Sequence, residues 1–168
     1  FILSTTRYTQ GPQVKEFEKQ WSEWLGVKYS VFVSSGSTAN FLLVDSIKER
    51  YNLQDGDKVL VPANTWVTSI SPIMQNNLTP IFYDISLDNF GPDEQSIEKI
   101  KQEHPEIKFA FVTHLLGLPA NLDSIKKHYP NIIIGEDTCE SHGATFKDKK
   151  VGTIGTGSTF SFYFGHHM

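Results

Sequence analysis

A single cysteine among 168 residues, Cys139, leaves no second thiol for an internal disulfide, so this segment is not a small scaffold stapled by sulfur. One thiol is also too few to hold an iron–sulfur cluster, and neither His166 nor His167 pairs with it at zinc-finger spacing. No apolar run approaches the roughly 18 residues that a membrane span requires. Phe1–Thr6 lacks the basic start, apolar stretch and small-residue cleavage site of a secretory leader. Basic charge is short as well: 15 Lys and Arg stand against 19 Asp and Glu, a net charge of -4, with no stripe suited to a phosphate backbone. These shortages point away from export and nucleic acid, toward a cytoplasmic protein acting on a small molecule. The apolar share, 39%, is enough to build a core.

Short apolar or β-branched runs alternate with helical stretches, which predicts an α/β domain. The predicted strands are Tyr29–Ser34, Lys58–Val61, Thr79–Ile85, Lys108–His114, Ile132–Glu136 and Ser158–Phe164, with a small hairpin near Ala144–Gly152. Several are apolar almost throughout, as strands covered on both faces are. The first helix should start at Gly11-Pro12, carry Val14, Phe17, Trp21, Trp24 and Leu25 as one stripe, and stop at Gly26. Further helices are expected at Thr38–Glu49, Val67–Asn76, Pro92–Lys101 and Leu122–His128. The chain stops just after an apolar run at Gly165-His166-His167-Met168, so these residues are expected to be part of a longer protein.

Three turns after strands could carry chemistry. Ser34-Ser35-Gly36-Ser37-Thr38 precedes a helix, where small residues let backbone amides approach an anion; a serine-rich helix cap would use the same letters. Asp137 and Glu140 follow an apolar strand, at the carboxyl edge where open α/β sheets take ligands, or else serve as loop acids. Trp66 lies beyond another strand and could cover a planar ring or pack in the core. Cys139 reads more readily as a buried thiol than as a nucleophile. Of the scattered histidines His104, His114, His128 and His142, only His114 looks placed for a ligand, with Thr9 and Gly11 as further pocket-lining positions.

Gly11-Pro12-Gln13-Val14, Ser35-Gly36-Ser37-Thr38, Pro62-Ala63-Asn64-Thr65-Trp66, His114-Leu115-Leu116-Gly117, Glu136-Asp137-Thr138-Cys139-Glu140-Ser141-His142-Gly143-Ala144 and Ser161-Phe162-Tyr163 occur in that order. As a set they resemble the DegT/StrS family of pyridoxal-phosphate-dependent nucleotide-sugar aminotransferases. The resemblance implies an α/β three-layer sandwich, the large domain of fold type I (aspartate-aminotransferase-like) enzymes. Residues 1–168 would form the N-terminal part of that domain, with the rest of it and a small C-terminal domain absent. It implies a homodimer with shared active sites. It also implies cofactor phosphate at Gly36, Ser37 and Ser161, the cofactor ring at Trp66, the pyridine nitrogen at Asp137, and Glu140 in place of the usual glutamine near the phenolic oxygen.

The departure lies five residues after Ser161, where family members carry the lysine that tethers the cofactor and this chain carries His166. Imidazole cannot form that bond, but it can shuttle protons near neutrality. No lysine follows Lys150, and Lys147, Lys149 and Lys150 read as a solvated hairpin. A His-His pair here resembles the branch of the family that removes the 3-hydroxyl of nucleotide-linked 4-keto-6-deoxy sugars, the GDP-4-keto-6-deoxy-D-mannose 3-dehydratases among them. That implies untethered pyridoxamine 5'-phosphate or pyridoxal 5'-phosphate, L-glutamate as amino donor, and His166 as base rather than His167. The alternatives are a nucleotide-sugar aminotransferase and a CDP-keto-sugar dehydratase whose iron–sulfur cluster would draw on further cysteines.

Overall fold

The computed structural model describes Ser4 and residues 7–167, with the backbone alone at His167. The leader reading at residues 1–6, apart from Ser4, and the side chain of His167 lie outside the described residues. The molecule divides into two units, Phe1–Ser34 and Ser35–Met168.

In the first unit, helix α1 (Pro12–Leu25) begins with proline in its first turn and ends at Gly26, whose φ of 85° lets its N–H return to Ser22 O at 2.9 Å. Phe17, Trp21 and Trp24 stack along one side, with centroids 6.1 and 4.7 Å apart, although Trp24 stays exposed. The expected strand at Tyr29–Ser34 does not form. Its polar groups are engaged by side chains instead: Phe32 N donates to Glu18 Oε1 at 2.8 Å, and Ser30 Oγ pairs with Ser22 Oγ at 2.9 Å. Tyr29 and Val31, which made the segment look like a strand, are both exposed.

The second unit runs α2 (Gly36–Tyr51), β1 (Lys58–Pro62), α3 (Val67–Gln75), β2 (Thr79–Tyr83), α4 (Glu94–Glu103), β3 (Phe109–Thr113), α5 (Leu122–His128), β4 (Ile133–Asp137), β5 (Thr145–Phe146), β6 (Lys149–Lys150), β7 (Gly157–Thr159) and α6 (Phe164–His167). The strands β2-β1-β3-β4-β7 form a parallel sheet in that order, and β5 pairs with β6 as the expected hairpin. Side-chain alternation divides the sheet between two cores. Val59, Val61, Phe109 and Phe111 pack with Val44, Ile47 and Ile73 from α2 and α3. Leu60, Ala110, Val112 and Ile134 pack with Ile97, Ile100, Leu122 and Ile125 from α4 and α5. Both faces are therefore covered, which gives the expected three-layer α/β sandwich and explains the unbroken apolar runs.

Most boundaries shift by one or two residues from expectation, and two of the shifts have a visible cause. Helix α4 starts at Glu94 rather than Pro92, because Asp93 caps it by accepting from Ser96 N at 2.9 Å. The last strand ends at Thr159 rather than Phe164: Ser161 Oγ accepts from Tyr163 N at 3.2 Å, and His166 N returns to Tyr163 O at 3.0 Å. These local bonds turn Phe164–His167 into a short helix instead of extending the ladder.

Candidate active site

The carboxyl ends of β4 and β7 and the start of α2 meet in the second unit. Asp137 closes β4, is 4% exposed, and stands in register with Thr159 of β7. Its Oδ2 accepts from Asn40 Nδ2 at 3.0 Å and from Ser69 Oγ at 2.7 Å, while Oδ1 accepts from Cys139 N at 3.1 Å. Asn40 in turn accepts from Thr159 Oγ1 at 2.6 Å. Asn40 and Ser69 escaped the reading of the sequence. The one signal was polar residues on helices at positions the core would otherwise claim, since both are buried to 1% exposure or less.

At the head of α2, Ser35 Oγ accepts from Thr38 N at 3.1 Å, and Ala39 N makes the first intrahelical bond to Ser35 O. The amides of Gly36 and Ser37 lie ahead of that bond, at the positive end of a 16-residue helix. A Cβ on Gly36 would stand 3.4 Å from both Cys139 Sγ and Ser161 Cβ. Gly36 and Ser161 are therefore neighbours, and the missing side chain keeps the space between them open.

Trp66 lies at the start of α3 and is 72% exposed, so the core-packing alternative is wrong. Cys139 is partly buried; desolvation, and then the charge of Asp137, push its thiol far above the ordinary range, so it is no nucleophile. Glu140, Leu116, Gly117, Gly165 and His166 line a cavity of ≈ 270 Å³. Glu140 Oε2 receives a long bond, 3.4 Å, from Leu116 N. The ring of His166 meets Tyr163 edge-on at 5.4 Å, and its Nδ1 is shielded from solvent without a hydrogen-bond partner among the described residues. No described neighbour fixes which nitrogen carries its proton.

His114 is not a ligand-facing residue, contrary to its sequence reading. It is fully buried; its Nδ1 accepts from Ala120 N at 3.0 Å, which puts the ring proton on Nε2, 2.9 Å from Glu136 Oε2. Glu136 also accepts from Gly152 N, Ile154 N and Gly155 N at 2.6–2.8 Å. Burial raises the proton affinity of its carboxyl, but the His114 bond and the Gly155 and Gly152 amides outweigh that and hold it below the usual range. This pair ties the loop before β7 to β4, next to Asp137. Gly152 suits that loop because its φ is 88° and a side chain there would strike the Phe160 ring. The other histidines are also placed elsewhere: His104 beside Lys58, His128 near Glu94, and His142 against Phe160 and Phe162. Lys147, Lys149 and Lys150 lie on the β5–β6 hairpin.

The chain resembles known proteins over nearly its whole length. The chain is 40% identical, over 172 aligned residues, to the GDP-4-keto-6-deoxy-D-mannose 3-dehydratase of Escherichia coli O55:H7, covering 99% of this chain and 44% of the relative. It is 32% identical to a dTDP-3-amino-3,6-dideoxy-alpha-D-galactopyranose transaminase of Aneurinibacillus thermoaerophilus, covering 96% of this chain and 43% of the relative. A crystal structure of GDP-4-keto-6-deoxymannose-3-dehydratase with a trapped PLP-glutamate geminal diamine matches with a TM-score of 0.88 at 39% identity, covering 99% of this chain and 44% of that one. The chain thus spans less than half the length of these relatives. The model of the DegT/DnrJ/EryC1/StrS aminotransferase family matches residues 2–168, essentially end to end, and the chain belongs to that family.

Proposed function

We propose that this chain is the N-terminal part of the cofactor-binding large domain of an enzyme that removes the carbon-3 hydroxyl of a nucleotide-linked 4-keto-6-deoxy-hexose. The substrate class to try first is GDP-4-keto-6-deoxy-D-mannose, with L-glutamate as amino donor and pyridoxamine or pyridoxal 5'-phosphate as cofactor. The working form is a cytoplasmic homodimer with shared sites, serving deoxysugar and lipopolysaccharide O-antigen synthesis. Among the described residues no helix is long and apolar enough to cross a membrane. The observation that carries the proposal is His166: an imidazole whose shielded Nδ1 has no hydrogen-bond partner among the described residues, beside a cavity, where the family tether would be.

The donor set fits the cofactor. The amides of Gly36 and Ser37 and the hydroxyl of Ser161 would hold the phosphate, helped by the helix end and by the gap that Gly36 leaves open. The exposed ring of Trp66 would cover one face of the cofactor, and Glu140 would stand near its phenolic oxygen. The Asp137 carboxylate would keep a proton on the ring nitrogen. When bound, the cofactor supplies an amine that condenses with a ketone and a cationic ring that takes up electrons. His166 then has one task, to take a proton at its imidazole and give it back. Freedom from a tautomer-fixing partner suits that exchange.

Incubation of the intact enzyme with the GDP-keto sugar, cofactor and L-glutamate tests the reading by product mass. A 3-deoxy sugar supports it, together with borohydride treatment that leaves no cofactor on the polypeptide. An amino sugar that keeps its carbon-3 oxygen would establish the transaminase reading instead. A cofactor–lysine adduct would remove the basis for His166.

A further inference from the structure

The polar network beneath Asp137 is costly to build. Asn40 sits inside helix α2 at 1% exposure, a site where an apolar side chain would join the core. Its amide is fully oriented by its neighbours. Nδ2 donates to Thr68 O at 3.1 Å and to Asp137 Oδ2 at 3.0 Å, both acceptors, and Oδ1 accepts from Thr159 Oγ1 at 2.6 Å. Ser69 places a second donor on the same carboxylate oxygen at 2.7 Å. Oδ2 thereby takes both side-chain donors from the helices, while Oδ1 faces Cys139, whose N–H it accepts at 3.1 Å.

From this asymmetry we propose that Asn40, braced by Thr159, is a positioning residue that holds the Asp137 carboxylate turned so that Oδ1 is the oxygen offered to the cofactor ring nitrogen. The inference deepens the reading of Asp137 given above and rests on it. Two bonds to Oδ2 fix the rotation of the carboxylate, so Oδ1 meets the proton of the ring nitrogen in a set geometry. The same helix carries the other end of the site. Gly36 and Asn40 are four residues apart, about 6 Å along the α2 axis. One rigid element therefore spaces the phosphate amides from the carboxylate support, and a shift at Asn40 alters the fit of the whole cofactor.

The test uses the intact enzyme loaded with pyridoxamine 5'-phosphate labelled with ¹⁵N in the ring, read by the nitrogen chemical shift, with the cofactor Kd and Tm measured alongside. In Asn40→Leu the nitrogen signal moves from its protonated toward its unprotonated position. The protonated fraction of the ring nitrogen falls, and Kd rises about tenfold, as loss of one bond to a charged group implies. Thr159→Val, close in shape, moves the signal in the same direction by less, because it acts through Asn40. If Asn40→Leu does not fold, Thr159→Val decides alone: a shifted signal supports the inference and an unmoved one overturns it.

Asp137→Ala separates the two levels of the argument. If it abolishes the protonated signal while Asn40→Leu merely lowers Tm and leaves the signal in place, Asn40 is packing and the inference fails while the reading of Asp137 stands. If Asp137→Ala itself leaves the signal unmoved, the reading of Asp137 fails and takes the inference with it.

Discussion

Glu136→Gln is a change of one atom that should cost far more than its size suggests. The wild-type carboxylate is fully buried and accepts four bonds: Ile154 N and Gly155 N on Oε1, His114 Nε2 and Gly152 N on Oε2. An amide can offer its oxygen to only one of these pairs; its NH₂ must face the other, donor against donor. His114 cannot adapt by moving its proton, because Nδ1 already accepts from Ala120 N. Two buried donors are stranded in either orientation, at about 1–3 kcal/mol each, so the loss is roughly 2–6 kcal/mol. That is a large share of the ~5–15 kcal/mol that typically holds a domain. Urea denaturation of the intact protein at neutral pH measures it as a lower midpoint at unchanged slope. The pH dependence adds a second reading. The folded-state carboxyl is held below its ordinary value of 4.5, so its ionic contribution is full above the unfolded carboxylate range and disappears as pH falls through the folded value. The gap between wild type and Glu136→Gln should therefore be widest at neutrality and close only in acid. A neutral-pH loss below about 0.5 kcal/mol would refute the reasoning, since surface changes of no structural consequence fall in that range.

Trp66→Ala, at a ring 72% exposed, should leave the urea midpoint within about 0.5 kcal/mol of wild type yet weaken pyridoxamine 5'-phosphate binding roughly tenfold, by titration; the reverse pattern would return Trp66 to the core. Cys139 should resist iodoacetamide near neutral pH and react only after denaturation, followed by intact mass, because the thiolate is the nucleophile and burial suppresses it. His166→Asn should lower kcat by about 10²–10⁴-fold with cofactor Kd changed less than about threefold, and a threefold or smaller loss of turnover would show that another group moves the proton.

Local chemistry made much of the fold readable in advance. Pro12 and Gly26 bracket α1, and the apolar runs that became β1 and β3 are buried on both faces. Tyr29–Ser34 and Phe160–Phe164 were misread for one reason: both show strand-like apolar content, but side-chain or local turn bonds capture their backbone groups. Apolar pattern reports burial, and says nothing about where an N–H finds its acceptor.

The order of residues by itself determined that Gly36 heads a helix, that Trp66 follows one apolar strand and Asp137 closes another, and that a histidine stands where the family resemblance implies a lysine. Those facts depend on spacing along the chain and on residue type. Tertiary structure alone decided the rest. It sent His114 into a buried pair with Glu136, left Trp66 outside the core, and brought Asn40 of α2 and Ser69 of α3 onto one carboxylate, with Thr159 of β7 donating to Asn40. Asn40 and Asp137 are 97 positions apart, and their bond exists only because the packed sheet sets the end of β4 beside the first turns of α2.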